Sequence, residues 1–86
     1  MPEISRFFGI VIRMYHSDHA PPHFHASYGS ANAKFEIATG RIRSGTLPPR
    51  ERRKVLRWLA FHRAELTANW RRAEENLPLN AIDPLE

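Results

Sequence analysis

Apolar residues recur at every second position through the first half of the chain and at every third or fourth position through the second half. The change of period falls at Leu47-Pro48-Pro49. Period two marks strands with one buried face; a period near 3.6 marks an amphipathic helix. The run Phe7 to Tyr15, rich in β-branched and aromatic residues, predicts one strand bent at Gly9, with Ile10, Ile12 and Met14 alternating with Val11, Arg13 and Tyr15. His16 to Pro22 ends it, because two consecutive prolines donate no ladder hydrogen bonds. His23 to Tyr28 reads as a strand with His23, His25 and Ser27 on one face and Phe24, Ala26 and Tyr28 on the other. After a turn at Gly29-Ser30, Ala33 to Ala38 alternates with Phe35 and Ile37 inward and Lys34 and Glu36 outward. Thr39-Gly40 then turns into a short strand, Arg41 to Gly45, whose two arginines share a face and suit a charge-protected sheet edge.

Beyond Pro49 a stripe of Val55, Leu59, His62, Leu66, Trp70, Ala73 and Leu77, widened by Leu56, Trp58 and Phe61, predicts a helix to about Asn76. At 1.5 Å per residue it would approach roughly 40 Å, so a kink or break is expected near His62 to Glu65. His62 is expected to be a buried, hydrogen-bonded core histidine, and Trp58 and Trp70 core or interface anchors. Pro78 ends the helix, and Leu79, Ile82 and Leu85 give the tail a means of packing back. The expectation is an α+β fold: an antiparallel sheet of three to four strands, then one long C-terminal amphipathic helix, in a single domain over residues 1–86.

Composition narrows the function classes. Eighty-six residues with 42% hydrophobic and 26% charged content suit one globular core. Cysteine is absent, which excludes disulfides and thiolate metal ligands and favours a reducing, cytoplasmic setting. No signal-like N-terminus or membrane-length apolar run is present, so no membrane association is expected. Eleven of the thirteen cations are arginine, the residue that pairs bidentately with phosphate and carboxylate. Arg41, Arg43, Arg50, Arg52, Arg53, Lys54 and Arg57 share their window with Glu51 alone, whereas the stretch from Ala73 onward is acidic. That asymmetry predicts an acidic protein or RNA partner for Arg41, Arg43, Arg50, Arg53, Lys54 and Arg57. A solvated, Arg-rich helix face is the architectural alternative. The cluster opposes the helix dipole at a small electrostatic cost.

Four of the five histidines fall within ten residues, His16, His19, His23 and His25, with Asp18 among them. On a strand, His-x-His places two imidazoles on one face with Cα atoms about 6.5–7 Å apart, close enough to share one ion. His19 can complete a three-nitrogen site, with Asp18 as a fourth ligand or as the carboxylate that orients a ring. His19, His23, His25 and Asp18 are therefore candidate ligands for a divalent transition metal. Without a metal, His23 and His25 can serve as catalytic acid and base, in a ribonuclease-like hydrolysis with arginine stabilising the developing charge. The architectural alternative is a rigid Pro-Pro corner whose rings bond to backbone carbonyls. No Walker loop, dinucleotide fingerprint, serine elbow or carboxylate pair is present.

The segments Pro2-x-Ile4-Ser5-Arg6-Phe7-Phe8-Gly9, Arg13-Met14-Tyr15, Asp18-His19-x-Pro21-Pro22-His23-Phe24-His25-Ala26, Gly45-x-Leu47-Pro48-Pro49-Arg50 and Ile82-x-Pro84-Leu85 resemble the small bacterial domain-of-unknown-function family 4160 across essentially the whole chain. The resemblance implies a component of a two-gene, toxin–antitoxin-like module, partnered by a small neighbouring protein of family 2442. It implies no catalytic residue. Three function classes stay open: an interaction module for protein or RNA, a histidine- or metal-dependent hydrolase, and a structural or regulatory domain.

Overall fold

The period-two segments pair in chain order. In the structure, a computed structural model that describes residues 2–86, the strands are β1 (Glu3–Phe7), β2 (Ile10–Arg13), β3 (His23–Tyr28), β4 (Ala31–Glu36) and β5 (Ile42–Thr46), followed by helix α1 (Pro49–Glu74). The sheet is an antiparallel meander in the order β1-β2-β3-β4-β5. The α+β architecture is as expected, with five strands rather than three or four. The extra strand is β1, which lies upstream of the expected Phe7 to Tyr15 strand and overlaps it only at Phe7, and the expected bend at Gly9 is the turn of a hairpin. Phe8 (φ 50°) and Gly9 (φ 79°) both occupy the left-handed region, as a two-residue type I′ connection requires. A Cβ at position 9 would also lie 3.2 Å from the Tyr28 ring. Phenylalanine is a rare occupant of that first turn position, so the usual Asn-Gly or Asp-Gly signal was missing.

One sheet face is dry. Ile12, Phe24, Ala26, Ala33 and Phe35 are buried against Val55, Trp58 and Leu59 of α1. Phe24 stacks on Phe35 with ring centroids 5.4 Å apart and meets the edge of Trp58 at 5.7 Å. Trp58 satisfies its indole N–H by donating to the Asp83 carbonyl at 2.8 Å, so the largest core side chain also binds the C-terminal tail. Buried Asn69 does the same with both ends of its amide, donating to Asn80 O at 2.8 Å and accepting from Asn80 N–H at 2.9 Å. Ile82 N–H donates to Ile4 O at 2.8 Å, and Ile82 joins the core while Leu79 and Leu85 pack against it. The tail thereby covers the β1 side of the sheet, and β5 is left as the exposed edge.

Helix α1 deviates at His62 (φ −123°, ψ 19°), inside the segment where a break was expected. No proline or glycine causes it. At this point Arg63 Nε reaches across to donate to Ile37 O at 2.9 Å, and His62 Nδ1 donates to Glu65 Oε1 at 2.6 Å. His62 is consequently half-buried at the kink rather than in the core. Trp58 and Trp70 are buried anchors, but Leu56 and Phe61 do not widen the stripe: Phe61 is 72% exposed. Asn69 takes a stripe position that a purely apolar pattern passes over. Among the described residues, no helix is long and apolar enough to cross a membrane.

Candidate metal centre

The other sheet face carries the chemistry. Because β3 buries Phe24 and Ala26, it turns His23 and His25 to the opposite side. Register then sets their neighbours: His25 lies between Arg13 on β2 and Lys34 on β4, and His23 lies opposite Glu36. The connection from β2 to β3 is tied at both ends. His16 Nε2 donates to Leu77 O at 2.8 Å, and Ile37 N–H donates to Pro22 O at 3.1 Å. Between those ties the Ala20–Pro21 peptide is cis, and Asp18 comes to rest over the strand histidines.

Asp18 Oδ2 lies 2.9 Å from His23 Nε2 and 3.4 Å from His25 Nε2. One ligand atom from each of Asp18, His23 and His25 falls within 4.8 Å of the others. About 3.3 Å would separate the ligands of a tetrahedral ion with bonds near 2.0–2.1 Å, so small side-chain rotations suffice to close on a metal. The orientation is also suitable. His23 Nδ1 donates to Pro21 O at 2.8 Å, the contact that fixes a ligating imidazole in the tautomer with Nε2 outward. With Nδ1 engaged by Pro21 O, His23 Nε2 faces Asp18 Oδ2, and a shared cation would satisfy both atoms. The His25 ring stands edge-on to Tyr15 with centroids 4.5 Å apart, and His23 is flanked by Trp70 at 5.2 Å.

Protonation favours ligation as well. Burial, then the neighbouring His23 and Lys34, push His25 below its ordinary value against the opposing pull of Asp18, which leaves a neutral ring. Burial alone would raise Asp18. The His19 backbone N–H at 2.8 Å, His25 and His23 override it and hold the carboxyl below its usual range.

Of the four ligands expected from the sequence, Asp18, His23 and His25 converge. His19 contributes its backbone to Asp18, while its exposed side is turned to a neighbouring pocket. His16 is committed to Leu77. The metal-free pairing of His23 and His25 as acid and base would require His23 to leave both Pro21 and Asp18.

The pocket beside the centre, about 260 Å³, is lined by Asp18, His19, Pro21 and His23 on one side and by Lys34, Arg43 and Ser44 on the other. A bulge builds its far wall. Phe35 pairs with Ile42 and Lys34 with Ser44, so Arg43 is the extra residue, turned to the same side as Ser44. Gly45 (φ 75°) permits this path, since a Cβ there would run into the Asn32 carbonyl oxygen. Arg43 donates to Glu36 Oε2 at 2.8 Å, and with Thr39 it depresses the Glu36 carboxyl. Sequence patterning did not mark Lys34 and Ser44 as site residues, because only pairing register brings them beside the histidines. Arg41 shares a second depression with Arg43, while Arg50, Arg53, Lys54 and Arg57 lie together on the first turns of α1.

Fold and site define an α+β domain: a five-stranded meander packed on one helix, with a His-His-Asp cluster where the start of β3 meets the β2–β3 connection and Trp70 of the helix. The chain belongs to the family described as Domain of unknown function (DUF4160), whose model matches residues 9–71 and so includes both the cluster and the basic helix turns. No curated protein and no solved structure matches it.

Proposed function

We propose that this domain is a metal-dependent hydrolase in which Asp18, His23 and His25 hold one divalent transition ion and leave a coordination position for water. The observation that carries this reading is the convergence of three ligand atoms within 4.8 Å on a ring whose other nitrogen is already held by a backbone carbonyl. Two imidazoles and a carboxylate suit zinc, manganese or iron(II), and three protein ligands with an open position is the pattern of catalytic sites. Such an ion brings the pKa of bound water to near 7. With an ion held by these three side chains, its bound water would supply the nucleophile that displaces an ester oxygen, and His19 on the pocket rim is placed to give that leaving oxygen a proton. Lys34 and Arg43 on the opposite wall favour an anionic ester, and the small pocket suits a phosphoryl group better than a large ligand.

Untagged protein stripped with chelator and titrated with Zn²⁺, Mn²⁺ or Co²⁺ tests this. Saturable binding of one ion per chain is expected, with quenching of Trp70 fluorescence by Co²⁺, because that indole lies 5.2 Å from His23. His25→Ala and Asp18→Ala should each abolish saturable binding, and with it metal-dependent hydrolysis of an aryl phosphodiester. Absence of saturable binding would sink the proposal.

A second reading rests on a separate observation, the exposure of Arg50, Arg53 and Arg57 beside Lys54 on one helix face. In it the domain is the basic half of a two-gene, toxin–antitoxin-like pair and docks a small acidic protein there. Arg50→Glu/Arg53→Glu should then abolish capture of the neighbouring gene product; unchanged capture would remove this reading.

A further inference from the structure

The basic residues are continuous with the metal centre. Arg43 belongs both to the pocket beside Asp18 and His23 and to the adjoining depression with Glu36 and Arg41. Arg41 in turn belongs to a larger depression of about 410 Å³ that includes Arg52, Arg53 and Leu56. Arg53 links that one to a last depression lined otherwise by Arg50, Lys54 and Arg57. Each depression shares an arginine with the next, so four of them form a single cationic track. It begins at the histidine cluster on the outer sheet face, rounds the exposed β5 edge and runs along the first turns of α1.

We propose that this track binds the backbone of a single-stranded nucleic acid and delivers one of its phosphodiesters to the Asp18, His23 and His25 centre. The identity of the substrate thus rests on the metal-centre reading; the track itself does not. Three features point to this ligand. Among the described residues, Lys34, Arg41, Arg50, Arg52, Arg53, Lys54 and Arg57 form no ion pair, whereas Arg6 and Arg43 do. The two carboxylates that line these depressions are already engaged, Asp18 by histidines and Glu36 by Arg43 and Thr39, and Glu51 of the first helix turn is buried. A row of uncompensated cations repels itself and is relieved by a ligand with regularly spaced negative charge.

Shape decides between polyanions. A protein interface has an apolar centre, but the exposed large hydrophobic side chains along the track are Leu56 and the Phe8 ring under Lys54, set against seven cations without ion pairs. A duplex is stiff over some 150 base pairs and cannot follow a route that turns from the outer sheet face round an edge to a helix on the other side. A single strand can.

Fluorescence anisotropy on the full chain tests this with a labelled single strand of about 12 nucleotides as RNA and as DNA, alongside the matching duplex and polyglutamate. With about four phosphates neutralised and roughly 0.7 counterions released per phosphate, log K should fall against log salt with a slope near −3 between about 50 and 200 mM. Arg41→Ala/Arg53→Ala should lower single-strand affinity at least tenfold and halve that slope, while Co²⁺ binding stays as in the wild type. His25→Ala should abolish Co²⁺ binding and leave single-strand affinity within about twofold. A nucleic-acid track without a metal centre and a metal centre without a track therefore give opposite patterns. Tighter RNA than DNA binding names RNA as the substrate, and equal binding keeps single-stranded nucleic acid as the class. Salt-insensitive binding, indifference to the double substitution, or preference for duplex or polyglutamate overturns the proposal.

Discussion

The two faces of β3 are built from alternate residues of one six-residue strand, yet they obey different rules. Phe24 and Ala26 face a layer of aromatic and aliphatic groups and are fully buried; their neighbours are interchangeable provided that volume is conserved. His23 and His25 face Asp18, Pro21 O and Lys34, where a shift of one ångström or the loss of one partner changes the chemistry. Burial on the first face stabilises the fold, and the second face uses the resulting rigidity to hold ligands in position. Stability and ligation should therefore respond to different substitutions.

The largest effect is expected on the dry face. Phe24→Ala removes a ring packed between Phe35 and Trp58 and should destabilise the protein by about 3–5 kcal/mol in urea unfolding. Across the strand, His25→Ala should change metal-free stability by less than about 1 kcal/mol, because that ring is partly exposed. A comparable loss from both substitutions would break the comparison.

Next in size is stabilisation by the ion. At about 100-fold excess over Kd the native state should gain about 2.7 kcal/mol, read as a rise in urea midpoint for the wild type and for Arg53→Ala. His25→Ala should show none.

Acid should destabilise the metal-free protein over two successive pH ranges. His25 is depressed below 6.5 in the fold, so the unfolded chain binds its proton first. Stability is present in full above the unfolded value, near 6.5, and is lost as pH falls from there through the folded value. Asp18, depressed below 3.8, adds a second loss on the same side: its contribution is present above that value and disappears as pH falls through the lower folded one. Thermal melts from pH 8 downward check both ranges, and His25→Gln should remove the first. The smallest effect is expected at Glu36 and Arg43. Their ion pair is substantially exposed on the arginine side, so Glu36→Gln should cost less than about 1 kcal/mol and yet free Arg43 for anions, raising single-strand affinity.

Much of this architecture is legible in the sequence. The alternation around Phe24, Phe35 and His25, the change of period at Pro48 and the stripe through Val55, Leu59, Leu66 and Trp70 each state locally which side of an element is dry. The hairpin at Phe8-Gly9 was not legible, because a phenylalanine in the left-handed region leaves no compositional mark. The bulge at Arg43 was equally hidden. It arises from the mismatch between two strands and is a property of neither alone.

Sequence by itself determined the periodicities, and with them the fold class, the face that carries His23 and His25, and the surplus of arginine. Tertiary structure alone decided that Asp18 joins those histidines while His16 and His19 do not, and that Lys34, Ser44 and Arg43 stand opposite them. The reason is that the β2–β3 connection takes its path from distant anchors, Leu77 O beyond the helix and Ile37 N–H after β4. Local chain preferences set which way a side chain faces; contacts remote in sequence set what it meets there.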